Sequence, residues 1–124
     1  MLGGIFDNAA EVELRELENE LTKILLEGEK IIKGFTLARN FFVFTERRLI
    51  LLDIQGFKGK KKKYHSLPYK SITHFSVETA GSLDRYGEIK IWILGDPTPI
   101  RCIFKHHEGL IFGVQKILAH HVMN

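Results

Sequence analysis

The sequence predicts a mainly β protein of seven short antiparallel strands closed by a C-terminal helix, with an extra amphipathic helix at the N-terminus. Three observations support this fold class. Short apolar runs separated by turn residues fill the chain from about residue 30 to residue 105. Leucines at three- and four-residue spacing precede them, and a second segment with helical spacing follows at 108–122. The chain is therefore an α+β protein dominated by its strands.

The first predicted helix begins near Asn8, which forms a capping-box pattern with Glu11, and continues to about Glu27, before Gly28. Its apolar residues fall on one stripe: Leu14, Leu17, Leu21, Ile24 and Leu25. A leucine stripe of this kind must be buried. The surfaces that could bury it are the outside of a sheet and a neighbouring subunit.

The predicted strands cover residues 31–37, 41–44, 49–54, 60–67, 72–78, 88–93 and 100–105. The third is almost continuously apolar, which predicts burial on both faces. Pro68 ends the fourth because proline has no N–H to donate. Alternation in the last two strands turns Cys102 inward and leaves Trp92 and Ile103 on faces that are otherwise polar.

Size and composition favour one structural domain, made of an N-terminal helical segment at 1–29 and a barrel domain at 30–124. No apolar run approaches the roughly 18 to 20 residues of a bilayer-spanning helix, and the start lacks the pattern of a signal peptide. The expected compartment is the cytoplasm. Cys102 is the only cysteine, so an intrachain disulfide is excluded.

The charge is distributed unevenly along the chain. Residues 7–29 carry eight acidic and two basic residues, a balance of −6, so the rest carries +9 to reach the net charge of +3. Such a division could steer an anionic partner to the second part, or bring the acidic segment of one copy to the basic surface of another. Two solvated faces of opposite sign would give the same pattern.

Five segments carry a family resemblance. They are Thr45-Glu46-Arg47-Arg48-Leu49-Ile50, Gly59-Lys60-Lys61, Ser66-Leu67-Pro68-Tyr69-Lys70-Ser71-Ile72, Glu78-Thr79-Ala80-Gly81 and Ile89-Lys90-Ile91-Trp92-Ile93. In this order they resemble the small bacterial pleckstrin-homology (PH) domain family, from about Leu25 to the C-terminus. The resemblance implies a PH-like, partly open barrel whose C-terminal helix plugs one end. It also implies a domain without catalytic activity that assembles into cyclic rings, as a pentamer, and presents a polar surface to another protein.

Trp92 and Ile103 are candidates for the subunit interface, because two large apolar side chains on a polar face need a cover. Cover by the N-terminal helix within one chain is the alternative. The stripe residues Leu14, Leu17 and Leu21 are further interface candidates.

A basic cluster is the candidate anion or partner surface: Lys58, Lys60, Lys61, Lys62, Lys63 and Lys70. Its lysines could bind membrane lipid, which makes a peripheral membrane module the alternative function. Strand alternation would divide them between two faces, however, and lysines also protect exposed strands from aggregation. The resemblance also implies that in lipid-binding eukaryotic PH domains the basic cluster lies mainly in the turn between the first two strands. In this chain that turn has only Arg39.

Other functional classes have little support. Nucleic-acid binding is not favoured, because Tyr64 and Tyr69 are the only aromatic residues among the lysines. The adjacent pairs His106-His107 and His120-His121 do not converge on one ion, since neighbours on a helix point about 100° apart. An inward Cys102 is typical of an inert thiol. We therefore expect no cofactor, no metal and no enzymatic activity.

Overall fold

The computed structural model describes residues 5–6, 10–11, 14–37, 40–55, 61–79, 86–105 and 108–123. Within them lie nine strands and two helices. The strands are β1 Ile5–Phe6, β2 Ala10–Glu11, β3 Ile31–Leu37, β4 Asn40–Thr45, β5 Arg48–Gln55, β6 Lys61–Pro68, β7 Ile72–Glu78, β8 Tyr86–Ile93 and β9 Ile100–Lys105. The helices are α1 Leu14–Leu21 and α2 Glu108–Val122, and a 3-10 turn at Tyr69–Ser71 joins β6 to β7. All seven predicted strands are present.

The strands form two sheets. The five-stranded sheet has the order β2-β3-β4-β5-β6 and is antiparallel throughout. The four-stranded sheet has the order β1-β9-β8-β7, in which only the β1–β9 pair is parallel. The two short strands at the start of the chain therefore extend one edge of each sheet. At the opposite edges, β6 and β7 each have a single neighbour among the described strands.

The main core lies between the inner faces of the two sheets. Phe42 and Phe44 from the five-stranded sheet, Ile89 and Ile91 from the four-stranded sheet, and Leu118 from α2 belong to one buried cluster. Helix α2 thus closes the space between the sheets, because its apolar side supplies part of the same core. These observations confirm the predicted barrel with a C-terminal helix. Within the described residues, neither helix has the length and apolar character needed to cross a bilayer.

Strand β5 is buried on both faces, as its apolar run predicted. Leu49 and Leu51 face the main core, whereas Ile50 and Leu52 belong to a second cluster on the outer side of the same sheet. The period of two along a strand explains this division. Helix α1 supplies the cover for the second cluster.

Helix α1 is shorter than the sequence predicted at both ends. Ala10–Glu11 forms a strand that pairs with β3, so the helix begins at Leu14, and Asn8 lies outside the described residues. After Leu21 the chain curls through turns to Gly28, whose φ of 81° suits glycine. The backbone groups of Ile24 and Leu26 then bond to side chains of Arg48 and Glu29 rather than continuing a helical ladder.

Leu17 and Leu21 are completely buried against their own sheet. Gly34 of β3 lies directly beneath Leu17, where an added Cβ would overlap the leucine side chain. Leu17 and Leu21 are thus covered within one chain, which leaves these two leucines no free surface for the subunit contact that the sequence suggested. The side chain of Leu14 is outside the described part of the molecule.

Candidate functional site

The outer face of the four-stranded sheet is the first candidate site. We use "outer face" for the side chains that point away from the core: His74, Ser76, Glu78, Glu88, Lys90, Trp92, Arg101 and Ile103. Trp92 and Ile103 are half-buried there among charged neighbours. Helix α1 does not provide their cover, because it packs on the five-stranded sheet.

Trp92 is held in place by the neighbouring strand. Its ring stacks on His74, with centroids 4.4 Å apart and planes 15° from parallel. The hydroxyl of Thr73 donates to the carbonyl of Trp92 at 3.3 Å and lies 3.0 Å from Nδ1 of His74. The outer face therefore carries a preformed aromatic platform beside the edge strand β7.

Two basic residues of the outer face pair with one carboxylate. Arg101 Nε donates to Glu88 Oε2, and Lys90 Nζ lies 3.9 Å from Glu88 Oε1. The hydrogen bond to Glu88 raises the pKa of Arg101. Ile103 is directly opposite Glu88 in the register, so the ion pairs lie beside an apolar side chain.

The lysines of β6 are divided between two faces, as alternation predicted. Lys62 bonds to Glu20 of α1 at 2.9 Å, and this hydrogen bond is the main cause that raises the pKa of Lys62. Lys61 and Lys63 are exposed on the other face, opposite Gln55 and Asp53. The candidates Lys58 and Lys60 lie outside the described residues.

Lys70 is not part of this cluster. It lies in the 3-10 turn that follows the far end of β6. About 17 Å of strand separates Lys63 from Pro68, at ~3.4 Å per residue. The four described lysines of the predicted set, Lys61, Lys62, Lys63 and Lys70, therefore do not form one compact basic patch.

A pocket of about 430 Å³ opens between the two sheets. It is lined by Leu51, Asp53, Lys63, His65, Ile93, Asp96, Thr98, Pro99, Ile100 and Arg101. These residues come from β5, β6, the end of β8, the β8–β9 turn and the start of β9. Sequence reasoning missed this site, because it depends on how far the sheets separate and not on a local motif. The switch from apolar to polar residues along the inner face of β6, Leu67 to His65 to Lys63, was the available signal.

A buried polar network joins the turn after α1 to β5. The guanidinium of Arg48 donates to Glu29 through Nε at 2.9 Å and Nη2 at 2.8 Å, and also to the carbonyl of Ile24. The hydroxyl of Thr45 donates to Glu29 at 2.7 Å. Tyr69 donates its hydroxyl to the carbonyl of Thr45. Thr45, Arg48 and Tyr69 of this network belong to the segments that carry the family resemblance.

The network keeps Glu29 ionised. Burial on its own would raise the pKa of this carboxyl group. The hydrogen bond from Arg48, with those from the Leu26 N–H and the Thr45 hydroxyl, outweighs burial and lowers the pKa from 4.5 to about 2. Burial raises the pKa of Tyr69, and the charge of Glu29 adds to that effect.

Cys102 is fully buried, as predicted, and burial raises the pKa of its thiol. His121 stacks on Tyr69 with centroids 4.3 Å apart, and burial lowers the pKa of this histidine. Within the described residues, no three histidine, cysteine or carboxylate side chains are close enough to hold a metal ion. His106 and His107 fall outside those residues.

The comparisons with known proteins agree with this architecture. The model of the bacterial PH domain family matches residues 1–122. The chain is 48% identical over 119 residues to the uncharacterized protein YjqA of Bacillus subtilis, covering 95% of this chain and 94% of YjqA. It is 35% identical over 81 residues to the uncharacterized protein YozO of the same organism, covering 65% of this chain and 67% of YozO.

Solved structures are also similar. A DUF1696 family protein with a PH domain from Shewanella loihica superposes with a TM-score of 0.81 at 46% identity, covering 94% of this chain and 98% of the other. A PH domain from Shewanella amazonensis gives 0.78 at 43% identity, covering 90% of this chain and 100% of the other. The chain therefore belongs to the bacterial PH domain family, and its relatives YjqA and YozO carry no assigned function.

Proposed function

We propose that this PH domain is a non-catalytic scaffold that assembles into a closed cyclic homo-oligomer and presents a surface to another protein. The observation that carries the assembly proposal is the outer face, where Trp92 and Ile103 are half-buried among charged residues. The other sheet has its apolar outer side covered by α1. A second copy would supply the equivalent cover for Trp92 and Ile103.

The edge of β7 that has no strand neighbour among the described residues supports the same proposal. It borders the outer face at His74, next to the platform that His74 forms with Trp92. Edge strands expose unpaired backbone groups, and a head-to-tail contact that closes on itself satisfies them without leaving a growing end. The ring size that we propose, five, comes from the family resemblance alone.

Light scattering on a sizing column tests the assembly. We expect a mass several times the 14.3 kDa of one chain at micromolar concentration. Trp92→Glu and Ile103→Glu should shift the mass towards that of a monomer, because each places a charge in the proposed contact. Phe112→Glu is the matched control, since Phe112 is an exposed aromatic residue on α2. A wild-type protein that elutes as a monomer overturns the proposal.

Binding of anionic membrane lipid is the second candidate function. It is favoured by Lys61 and Lys63, which are both exposed on one face of β6. Co-sedimentation with vesicles containing phosphatidylserine tests it. Salt-sensitive binding by the wild type, lost in the Lys61→Glu, Lys63→Glu double variant, would support a membrane module over a purely protein-binding one.

A further inference from the structure

Strand β6 offers a backbone edge for an added strand. It pairs with β5 on one side and has no second neighbour among the described strands. The segment Lys61–Leu67 contains no proline, and Pro68 is the last residue of the strand. An extended peptide can pair with such an edge through its own backbone, and pockets beside the edge then select its side chains.

The pocket between the sheets lies immediately beside this edge. Leu51, Ile93 and Ile100 give it apolar walls, and its volume of about 430 Å³ lies within the range of ligand pockets. Such a pocket can accept one large apolar side chain. The exposed His65 lies at its entrance.

The register of β6 connects the edge to the pocket. Lys63 is opposite Asp53, and His65 is opposite Leu51, and all four residues line the pocket. Directly opposed residues share one face of a sheet. A strand added to β6 would therefore direct every second side chain towards the pocket and the side chains between them towards solvent or α1.

The charges on β6 determine which side chains an added strand should carry. Lys61, Lys62 and Lys63 are all exposed. They repel a second β6 edge, because three lysines of one copy would meet three of another. They attract carboxylates, and Lys62 already bonds to one, that of Glu20. Asp53 at the pocket is 7% exposed and accepts a hydrogen bond from Gln55, so a neighbouring side chain already engages that carboxylate.

We infer that the β6 edge and the pocket between the sheets form a groove for an extended acidic peptide that inserts one apolar side chain. This inference deepens the protein-binding part of the proposed function and rests on that part, whereas assembly can fail or succeed independently. A peptide fits better than a membrane surface, because Lys62 and Lys63 point to opposite faces and Lys70 lies beyond the far end of the strand.

The test uses fluorescein-labelled seven-residue peptides with a central leucine, isoleucine or phenylalanine and alternating glutamate and threonine elsewhere. Fluorescence anisotropy with the full chain measures binding. We expect saturable, salt-sensitive binding of the acidic peptides. The same peptides with lysine for glutamate, or with N-methylated backbone amides that cannot pair with a strand, should not bind. Amide chemical shifts should move in β6 and around the pocket.

Variants of the protein locate the site. Lys63→Glu should weaken binding roughly fivefold, as expected for the loss and reversal of one exposed charge. His65→Trp should weaken it further by filling the entrance of the pocket. Lys70→Glu makes the same charge change beyond the far end of β6 and should leave the affinity within about twofold of the wild type. Light scattering on each variant shows whether assembly is unchanged.

Three results would overturn the inference. One is the absence of any binder among the acidic peptides. Another is equal binding of the lysine-containing or N-methylated peptides. The third is a protein that binds phosphatidylserine vesicles but no peptide, with vesicle binding weakened by Lys63→Glu. That result would show that these lysines bind a membrane. A wild-type protein that is monomeric by light scattering but still binds the acidic peptides would overturn the assembly proposal and support the groove.

Discussion

Arg48 donates two hydrogen bonds to the buried carboxylate of Glu29, from Nε at 2.9 Å and from Nη2 at 2.8 Å. The side chain of Glu29 is fully covered, so the ion pair acts in a region of low dielectric. It connects the end of the turn after α1 to the start of β5 and fixes how α1 lies on the sheet.

The first prediction concerns the pH dependence of stability. The pKa of Glu29 is lowered from 4.5 to about 2 on folding, which corresponds to about 3 kcal/mol. Because the folded pKa is the lower one, this contribution is present above about pH 4.5 and is lost as the pH falls towards about 2. Urea unfolding should show Glu29→Gln about 3 kcal/mol less stable at pH 7, with somewhat more than half of the difference gone by about pH 3 and most of it gone by about pH 2.

Glu27→Gln provides the control for that experiment. Glu27 is exposed in the same turn, so the neutralisation should change the free energy of unfolding by less than about 0.5 kcal/mol at either pH. If Glu29→Gln matches the wild type at pH 7, the ion pair has no net stabilising role. If Glu29→Gln and Glu27→Gln lower the free energy of unfolding equally, the effect comes from the net charge of the turn and not from the ion pair with Arg48.

The second prediction concerns the close approach of α1 to β3. Leu17→Ala should cost about 2 to 5 kcal/mol of the free energy of unfolding, since it opens a cavity beneath the helix. Gly34→Ala should cost about 1 to 3 kcal/mol by overpacking, because the new methyl group meets Leu17. The double variant should be more stable than the sum of both losses predicts, since alanine at 17 makes room for alanine at 34.

Gly113→Ala is the matched control for the glycine substitution. Gly113 lies in α2 with open space where a Cβ would be, so alanine should stabilise the helix by about 0.5 to 1 kcal/mol. Additive losses in the Leu17, Gly34 double variant would show that the two positions are not coupled.

The third prediction concerns the thiol of Cys102. The side chain is fully buried in the main core and burial raises its pKa, so both access and ionisation oppose its reaction. Titration with a chromogenic disulfide at pH 8 should label little of the native protein and one thiol per chain after denaturation. Rapid labelling of the native protein would mean that β9 is shifted by one residue.

The sequence was most informative where side chains follow a period. Alternation predicted the inward positions of Ile89, Ile91 and Cys102, and the apolar run of β5 predicted burial on both faces. The start of α1 was placed too early because the capping pattern at Asn8 is local, whereas the pairing of Glu11 with Phe35 is not. The Glu29–Arg48 pair and the pocket could not be predicted either, because they too depend on contacts between distant parts of the chain. Both bring together residues that only the closed barrel places side by side.

The last prediction uses Trp92 as a reporter of the proposed subunit contact. It is the only tryptophan in the sequence, so the emission of the protein reports the outer face alone. If a second copy covers it, emission should move to shorter wavelength and iodide quenching should fall as the concentration rises through the range of assembly. Ile103→Glu should hold both signals at their monomer values, whereas Phe112→Glu, on an exposed position of α2, should follow the wild type. Emission that stays constant while light scattering records dissociation would show that the ring, if it forms, buries a different surface.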